Sequence, residues 1–238
     1  MSATIFALDA PLGILMLDTA FPRLRGDVGC AATFAFPVRI AAVAGASVDA
    51  VVHRASDTLL PAFVAAGRAL ADEGCVGLAT TCGFLARWQH ALAEALPIPV
   101  LTSSLLQVPL LARTMPGRRR VGIVTYSTAD LTPDVLASVG VDPATPVAGV
   151  APDGYFARAI RDGARTLDQQ RMAADTVASA RELADKHRDL GAIVLECANM
   201  PPYRAAVQAA VRLPVFDAAQ LIAWFRSGLG GYAQADLW

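Results

Sequence analysis

The sequence predicts an α/β protein with two pseudo-symmetric lobes, each a parallel sheet flanked by helices, and an active site in the cleft between them. Two observations lead to this fold class. Short apolar runs alternate with helical stretches along the whole chain of 238 residues, which is typical of parallel sheets that helices cover on both faces. The two halves of the chain also repeat the same spacing of strands, cysteines and prolines.

Eight apolar runs are suited to buried parallel strands. They lie at residues 12–17, 37–44, 76–80, 99–103, 121–125, 146–150, 192–196 and 214–217. Helical stretches follow at about residues 56–72, 84–95, 104–113, 130–138, 155–162, 166–189, 203–211 and 218–227. In this architecture ligands collect at the carboxyl ends of the strands, where loops lead into helices. The chemistry is therefore expected at the strand ends.

Two cysteines mark equivalent strand ends. When Cys82 is aligned with Cys197, Pro99 also meets Pro214, and each half then reads strand, cysteine, helix, proline and a short polar strand end. The repeat predicts a first lobe at residues 1–113 and a second lobe at 114–216. It also predicts that the C-terminal segment 217–238 packs back on the first lobe. Lobes that face each other would place the two thiols across one cleft.

Composition excludes several classes of protein. The chain has 20 basic and 21 acidic residues, so it offers no electrostatic footprint for nucleic acid or a membrane surface. Although 55% of its residues are hydrophobic and the mean hydropathy is +0.44, no window holds the roughly 18 apolar residues of a spanning helix. The N-terminal residues lack a basic region and a small-residue cleavage site. We therefore expect a soluble cytoplasmic protein that binds neither nucleic acid nor a membrane.

The remaining motifs argue against a metal, a nucleotide or a catalytic serine. The four cysteines include no CxxC pair, and the three histidines lie far from them in sequence, which gives little support for a zinc site. No Walker-type or dinucleotide glycine signature occurs, and no GxSxG elbow is present. The sequence therefore predicts chemistry by its own side chains, without a metal or a cofactor.

Thiols at the two strand ends are suited to proton transfer. A cysteine at the start of a helix lies at the positive end of the helix dipole, which is expected to lower the pKa of the thiol. The amides that follow each cysteine, at Gly83 and Phe84 and at Ala198 and Asn199, can hold a carboxylate. One sulfur would remove the α-proton while the other delivers a proton from the opposite face. The amides would stabilise the enediolate-like charge that develops between these steps.

Four motifs of the chain are similar to those of a known family. They are Thr80-Thr81-Cys82-Gly83, Thr102-Ser103-Ser104, Val124-Thr125-Tyr126-Ser127 and Glu196-Cys197-Ala198-Asn199-Met200. Through them, and over nearly its whole length, the sequence resembles the aspartate/glutamate racemase superfamily. That family implies that Cys82 and Cys197 are the acid/base pair, that the carboxylate-binding wall includes Thr81, and that the protein is a homodimer. It also implies a wall contribution from the segment 125–127.

Two departures from the racemase pattern bear on the substrate. Ala198-Asn199 stands where glutamate racemases usually carry Thr-His, which weakens an assignment to glutamate. The N-terminal segment, with Phe21-Pro22-Arg23 and Gly26-Asp27-Val28-Gly29, is more similar to the branch that contains the algal dimethylsulfoniopropionate lyases. Asp18, at the end of the first strand, is either a cap or a carboxylate that reads a substrate ammonium group. Glu196 is as readily a structural partner as a functional one, because alternate strand residues face opposite sides.

The sequence leaves several functions open. The first is a cofactor-independent racemase or epimerase of a small amino acid or related carboxylate, and the alternative is a lyase that eliminates a β-leaving group. An arylmalonate-type decarboxylase is less favoured, because those relatives keep one of the two thiols. A non-catalytic carboxylate-binding protein with inert cysteines is the remaining class.

Overall fold

The computed structural model of the protein describes residues 10–229 and places two parallel four-stranded sheets in them. The strand order is β2-β1-β3-β4 in the first sheet and β6-β5-β7-β8 in the second. The strands are β1 (Leu12–Leu17), β2 (Val38–Val43), β3 (Leu78–Thr80), β4 (Val100–Leu101), β5 (Arg120–Thr125), β6 (Val147–Gly149), β7 (Leu190–Leu195) and β8 (Val215–Phe216).

The two sheets share their register as well as their order. Gly13 pairs with Leu78 in the first sheet, and Gly122 pairs with Ile193 in the second. These are the residues that the internal repeat aligns, so the repeat is structural. The predicted fold class of two parallel sheets flanked by helices is confirmed.

Helices follow the strands in the predicted order, and none of those within residues 10–229 has the length and apolarity to cross a membrane. The predicted helices at 84–95 and 104–113 begin with 3-10 turns, Gly83–Trp88 and Ser104–Gln107, whose tighter bonds suit a chain that turns sharply out of a strand. The α-helices are α1 (Leu60–Asp72), α2 (Gln89–Ala95), α3 (Val108–Thr114), α4 (Pro133–Ala137), α5 (Tyr155–Arg161), α6 (Gln169–Lys186), α7 (Arg204–Val211) and α8 (Ala218–Leu229).

The last helix, α8, returns to the first sheet. Its residues Leu221 and Ile222 share an apolar cluster with Ile14 and Leu101, and the Arg226 guanidinium donates to the carbonyl oxygen of Ala10 at 2.7 Å. Residues 1–9 and 230–238, which also belong to the predicted lobes, lie outside the described part of the chain. The lobe boundaries themselves stay a prediction.

Candidate active site

Two equivalent strand ends bring Cys82 and Cys197 together. Each cysteine follows the last residue of its strand, β3 or β7, by two positions. The turn after β3 is braced by Thr80, whose hydroxyl donates to the carbonyl oxygen of Thr102 at 2.6 Å. Ser104 of the first lobe donates to the carbonyl oxygen of Leu195 at 2.9 Å, which ties the two strand ends to each other.

Both thiols line one small cavity. The cavity volume is about 30 Å³, which is room for one or two water molecules. Eight of the residues proposed from the sequence line it. The described lining consists of Leu17, Thr19, Phe21, Arg23, Val48, Val52, Thr81, Cys82, Gly83, Phe84, Tyr126, Ile160, Glu196, Cys197, Ala198 and Asn199.

Three of the proposed substrate-binding residues lie elsewhere. Asp18 is exposed and accepts an N–H from Gly45 at 3.3 Å, because it points away from the face on which its neighbour Leu17 lines the cavity. Thr125 is fully buried behind the cavity, where it donates to Glu196. Ser127 faces a neighbouring, larger cavity and donates to a carboxylate on its own loop. None of the three contacts the space between the thiols.

Burial has the largest effect on the pKa of the Cys82 thiol. Desolvation, followed by the charge of Glu196, raises the pKa of Cys82 to about 12, although the amides of Phe84 and Leu85 donate to its sulfur and oppose the change. The expectation of a lowered pKa is therefore wrong. The segment that follows Cys82 is a short 3-10 helix rather than an α-helix, so the helix dipole is weaker than the sequence suggested.

Cys197 lies at the end of a hydrogen-bonded chain of polar groups. Its thiol donates to Oδ1 of Asn199 at 3.5 Å, and Nδ2 of Asn199 donates to Oδ2 of Asp27 at 2.5 Å. The Asp27 contact fixes which way the amide faces, so the amide oxygen is the atom presented to sulfur. Burial, followed by the charge of Glu196, raises the pKa of Cys197 well above its ordinary value. Its thiol is thus held in the protonated, donating form.

Arg23 supplies a permanent cation to the cavity wall. It forms an ion pair with Asp27 at 3.3 Å, donates to the hydroxyl of Thr19 at 2.8 Å, and lies 4.4 Å above the ring centroid of Phe21. Reasoning from the residues alone missed Arg23 and Asp27. Their signal was the unusual N-terminal segment, which the sequence analysis used to compare families rather than to find site residues.

Glu196 is a residue for which the sequence left a structural and a functional role equally open. Its side chain is 1% exposed, and its Oε2 accepts from the Thr125 hydroxyl at 2.8 Å. Burial raises the pKa of Glu196 to about 7, while the hydrogen bonds from Thr125 and from the Tyr126 amide lower it. The carboxyl group therefore lies in the same cavity as the thiols and titrates near neutrality.

Two thiols, the Glu196 carboxyl group and the Arg23 cation thus surround one small cavity. These groups can bind a carboxylate and move a proton at its α-carbon. Residues 10–229 contain no group of three histidine, cysteine, aspartate or glutamate side chains placed to hold a metal ion.

Known proteins resemble the chain in sequence and in fold. It is 31% identical over 216 residues to a dimethylsulfoniopropionate lyase of Durusdinium sp. clade D, covering 88% of this chain and 71% of that protein. It is 30% identical over 220 residues to dimethylsulfoniopropionate lyase 7 of Emiliania huxleyi, with 87% of this chain covered, and it spans 63% of the length of that relative. A sulfate-associated cysteine mutant of arylmalonate decarboxylase has the same fold, with a TM-score of 0.64, 19% identity and 94% of each chain covered.

A family model agrees with these likenesses. The Asp/Glu/Hydantoin racemase model matches residues 36–225. That range includes both sheets from β2 onward and both cavity cysteines. The chain therefore belongs to the Asp/Glu/hydantoin racemase family of enzymes.

Proposed function

We propose that this protein removes the α-proton of a small carboxylate and expels a leaving group from the β-carbon, with Cys82 as the base. The observation that supports this most is the meeting of Cys82 and Cys197 on one small cavity. Two thiols from distant parts of the chain, beside a cation, are more than a buried apolar core requires.

The two thiols have different roles in this proposal. Cys82 accepts hydrogen bonds from the amides of Phe84 and Leu85, and such bonds favour the thiolate. Cys197 accepts one such bond, from the Asn199 amide, and its thiol donates to the Asn199 side chain, which favours the thiol. Cys82 is thus the base, and Cys197 is the acid that can return a proton.

Arg23 is the proposed partner of the substrate carboxylate. Arg23 lines the cavity, and its side chain is 11% exposed. As the α-proton leaves, negative charge grows on the carboxylate oxygens, and a fixed cation stabilises that charge more than it stabilises the ground state. The apolar side chains of Phe21 and Phe84 would then enclose the rest of the substrate.

Elimination is favoured by the relatives and by the position of Asp18. Both curated relatives compared above are named dimethylsulfoniopropionate lyases. In that substrate the Cys82 thiolate takes the α-proton, the C–H electrons form the Cα=Cβ bond, and the C–S bond breaks with its electron pair on dimethyl sulfide, which leaves acrylate. Asp18, the carboxylate expected to read an α-ammonium group, is exposed outside the cavity, so an amino acid lacks that partner.

The positive sulfonium group of the substrate would also lower the pKa of the Cys82 thiol, which burial raises. A cation bound beside a thiol favours its ionised form. Substrate binding would therefore promote the thiolate that burial otherwise opposes. Since the cavity has room for one or two water molecules, binding of the substrate has to enlarge it.

Racemisation of a small amino acid is the second candidate. It is favoured by the presence of two thiols on the cavity, since a two-base route needs an acid and a base on opposite faces of the α-carbon. Elimination needs one base, and dimethyl sulfide departs without a proton. The two reactions therefore differ in their need for Cys197.

Cysteine variants separate the two candidates. Purified wild type, Cys82→Ser, Cys197→Ser and the control Cys75→Ser are incubated with dimethylsulfoniopropionate, and dimethyl sulfide and acrylate are measured. The same proteins are tested with aspartate and glutamate for loss of optical activity in heavy water. Cys75 is a suitable control because it is buried in the first lobe but does not line the cavity.

We expect acrylate from the wild type and from Cys75→Ser, none from Cys82→Ser, and a reduced but measurable rate from Cys197→Ser. Racemisation that disappears in both cavity variants would favour the second candidate. Full activity in Cys82→Ser, or no turnover of any of these substrates by the wild type, would contradict the proposed function.

A further inference from the structure

The internal repeat places Thr81 and Glu196 at equivalent positions, one residue before each cavity cysteine. In the first lobe the Leu17 amide donates to the Thr81 hydroxyl at 3.1 Å. In the second lobe the amide of Tyr126 donates to the Glu196 carboxylate. Leu17 and Tyr126 are themselves equivalent, since each lies four residues after the paired glycine of its sheet, Gly13 or Gly122.

The comparison of the two lobes shows that the fold needs a hydrogen-bond acceptor at this position, but not a carboxyl group. Accepting one amide hydrogen bond requires only a hydroxyl, as Thr81 demonstrates. A carboxyl group at this place carries a cost, because charge is disfavoured in a buried site. The second lobe nevertheless has a buried carboxyl group at Glu196, and packing does not explain its presence.

One oxygen of Glu196 also lacks a partner. While Oε2 accepts from Thr125, Oε1 is buried and has no hydrogen-bond partner. It lies against Gly83, the residue directly after Cys82, where the Cβ of any other amino acid would overlap it. The glycine thus accommodates the carboxyl group of the opposite lobe, and the free oxygen faces the Cys82 side of the cavity.

We propose that Glu196 is a third proton-holding group of this site, which exchanges a proton with the Cys82 thiol inside the cavity. This inference rests on the proposed function of Cys82 as the base. The exchange converts a thiol and a carboxylate into a thiolate and a carboxylic acid, so the cavity keeps one negative charge throughout. A cavity with room for one or two water molecules offers few other acceptors for the thiol proton.

The groups around Glu196 define how the site titrates. Cys82 faces it from the turn after β3, Cys197 follows it in the chain, and the Tyr126 phenol lines the same cavity. Burial raises the pKa of Tyr126 to about 12, and the charge of Glu196 contributes to the raised pKa values of both cysteines. The nearest charged side chains of the cavity and its walls are the Arg23–Asp27 pair on the loop after β1 and Arg87, which acts on Cys82 from the 3-10 helix.

Glu196 is therefore the first of the cavity groups to lose a proton as pH rises. In the wild type the rate rises until the carboxyl group ionises, near pH 7, and is then level, because a second negative charge in the cavity is opposed until much higher pH. Without Glu196, the first proton to leave is that of a thiol. The rate then continues to rise by about tenfold per pH unit above neutrality.

The test compares the wild type with Glu196→Gln, which keeps an oxygen for the Tyr126 amide, and with Glu196→Thr, which copies Thr81. Glu94→Gln is the control, because Glu94 is an exposed residue of α2. kcat/KM for dimethylsulfoniopropionate is measured between about pH 6 and about pH 9, and melting temperatures identify any variant that fails to fold. We expect a level profile above neutrality in the wild type and in Glu94→Gln. In both Glu196 variants we expect a rise of about a hundredfold between pH 7 and pH 9.

A profile of wild-type shape in both Glu196 variants would overturn the inference and leave the proposed function intact. If the wild type turns over none of the substrates, the proposed function fails, and the ultraviolet absorbance of thiolate still tests Glu196. That titration is done with Cys30 and Cys75 replaced by serine. Thiolate that appears at lower pH in Glu196→Gln than in the wild type supports the exchange, and identical titrations overturn it.

Discussion

His53 and Asp130 join the two lobes through a hydrogen bond in which Nδ1 of His53 lies 2.9 Å from Oδ2 of Asp130. Ser127 also donates to this carboxylate at 2.6 Å. The His53 ring lies 6.0 Å from that of Tyr126, which lines both the thiol cavity and a neighbouring cavity of about 620 Å³. The His53–Asp130 hydrogen bond thus lies beside the wall that separates the thiols from the larger space.

Loss of this hydrogen bond should make the cavity open more often. In His53→Ala we expect the thiols of Cys82 and Cys197 to react with iodoacetamide about two- to fivefold faster, because one hydrogen bond contributes about 1 kcal/mol. Mass spectrometry of the labelled peptides measures both rates. His90→Ala is the control, since its contact with Glu94 is exposed on α2. Equal labelling in the wild type and His53→Ala would show that the pair does not restrain opening.

Glu196 should make the stability of the protein depend on pH. Its pKa is raised from 4.5 to about 7 by folding, so its contribution to stability is fully present below about pH 4.5 and is lost as pH rises through about 7. The shift corresponds to ~3 kcal/mol. Urea unfolding of the wild type and Glu196→Gln at about pH 5 and about pH 8 measures the difference. We expect the wild type to lose more free energy of unfolding than the variant, and a parallel loss in both would contradict the assignment.

Gly83→Ala should disturb the site across the lobe boundary. The new Cβ would overlap Oε1 of Glu196 and lie 2.7 Å from its carbonyl oxygen, so we expect a loss of about 1–3 kcal/mol in the free energy of unfolding. Gly228→Ala is the control, because an added Cβ in α8 meets nothing within 4 Å. Glu196→Ala combined with Gly83→Ala should recover part of the loss. No recovery would mean that the carboxyl group is not what the glycine accommodates.

Asn199→Ala should affect Cys197 more than Cys82. The substitution removes the acceptor of the Cys197 thiol and leaves Oδ2 of buried Asp27 with only the long 3.5 Å hydrogen bond from Arg23, which costs about 1–3 kcal/mol. Urea unfolding measures that cost. Labelling with iodoacetamide should then show a changed rate at Cys197 and an unchanged rate at Cys82. Equal changes at both thiols would argue for a general loosening of the cavity instead.

The fold and the two cysteines were predictable because their signals are local or repeated. Apolar runs identify all eight strands of the two sheets, and the equal spacing from cysteine to proline identifies the repeat whose register the sheets preserve. A cysteine directly after such a run lies at the carboxyl end of a parallel strand, whatever the rest of the chain does.

The remaining site features depend on contacts between distant segments. Asp27 meets Asn199 across 172 residues of sequence, and the reason for Gly83 is a carboxyl group in the other lobe. The prediction of a lowered thiol pKa was wrong for the same reason, since the extent of burial at Cys82 is a property of the assembled cavity. Asp18 lies outside the cavity because one position along the chain changes the face on which a side chain lies. The homodimer stays a prediction.

The common register of the two sheets has a stereochemical consequence. A backbone so nearly twofold offers the two faces of a flat carbanion almost the same environment, so the scaffold itself cannot select an enantiomer. Selection has to come from the positions where the halves differ, such as Thr81 against Glu196 and Gly83 against Ala198. Any preference of this protein for one face of the carbanion therefore depends on a few side chains and not on the backbone.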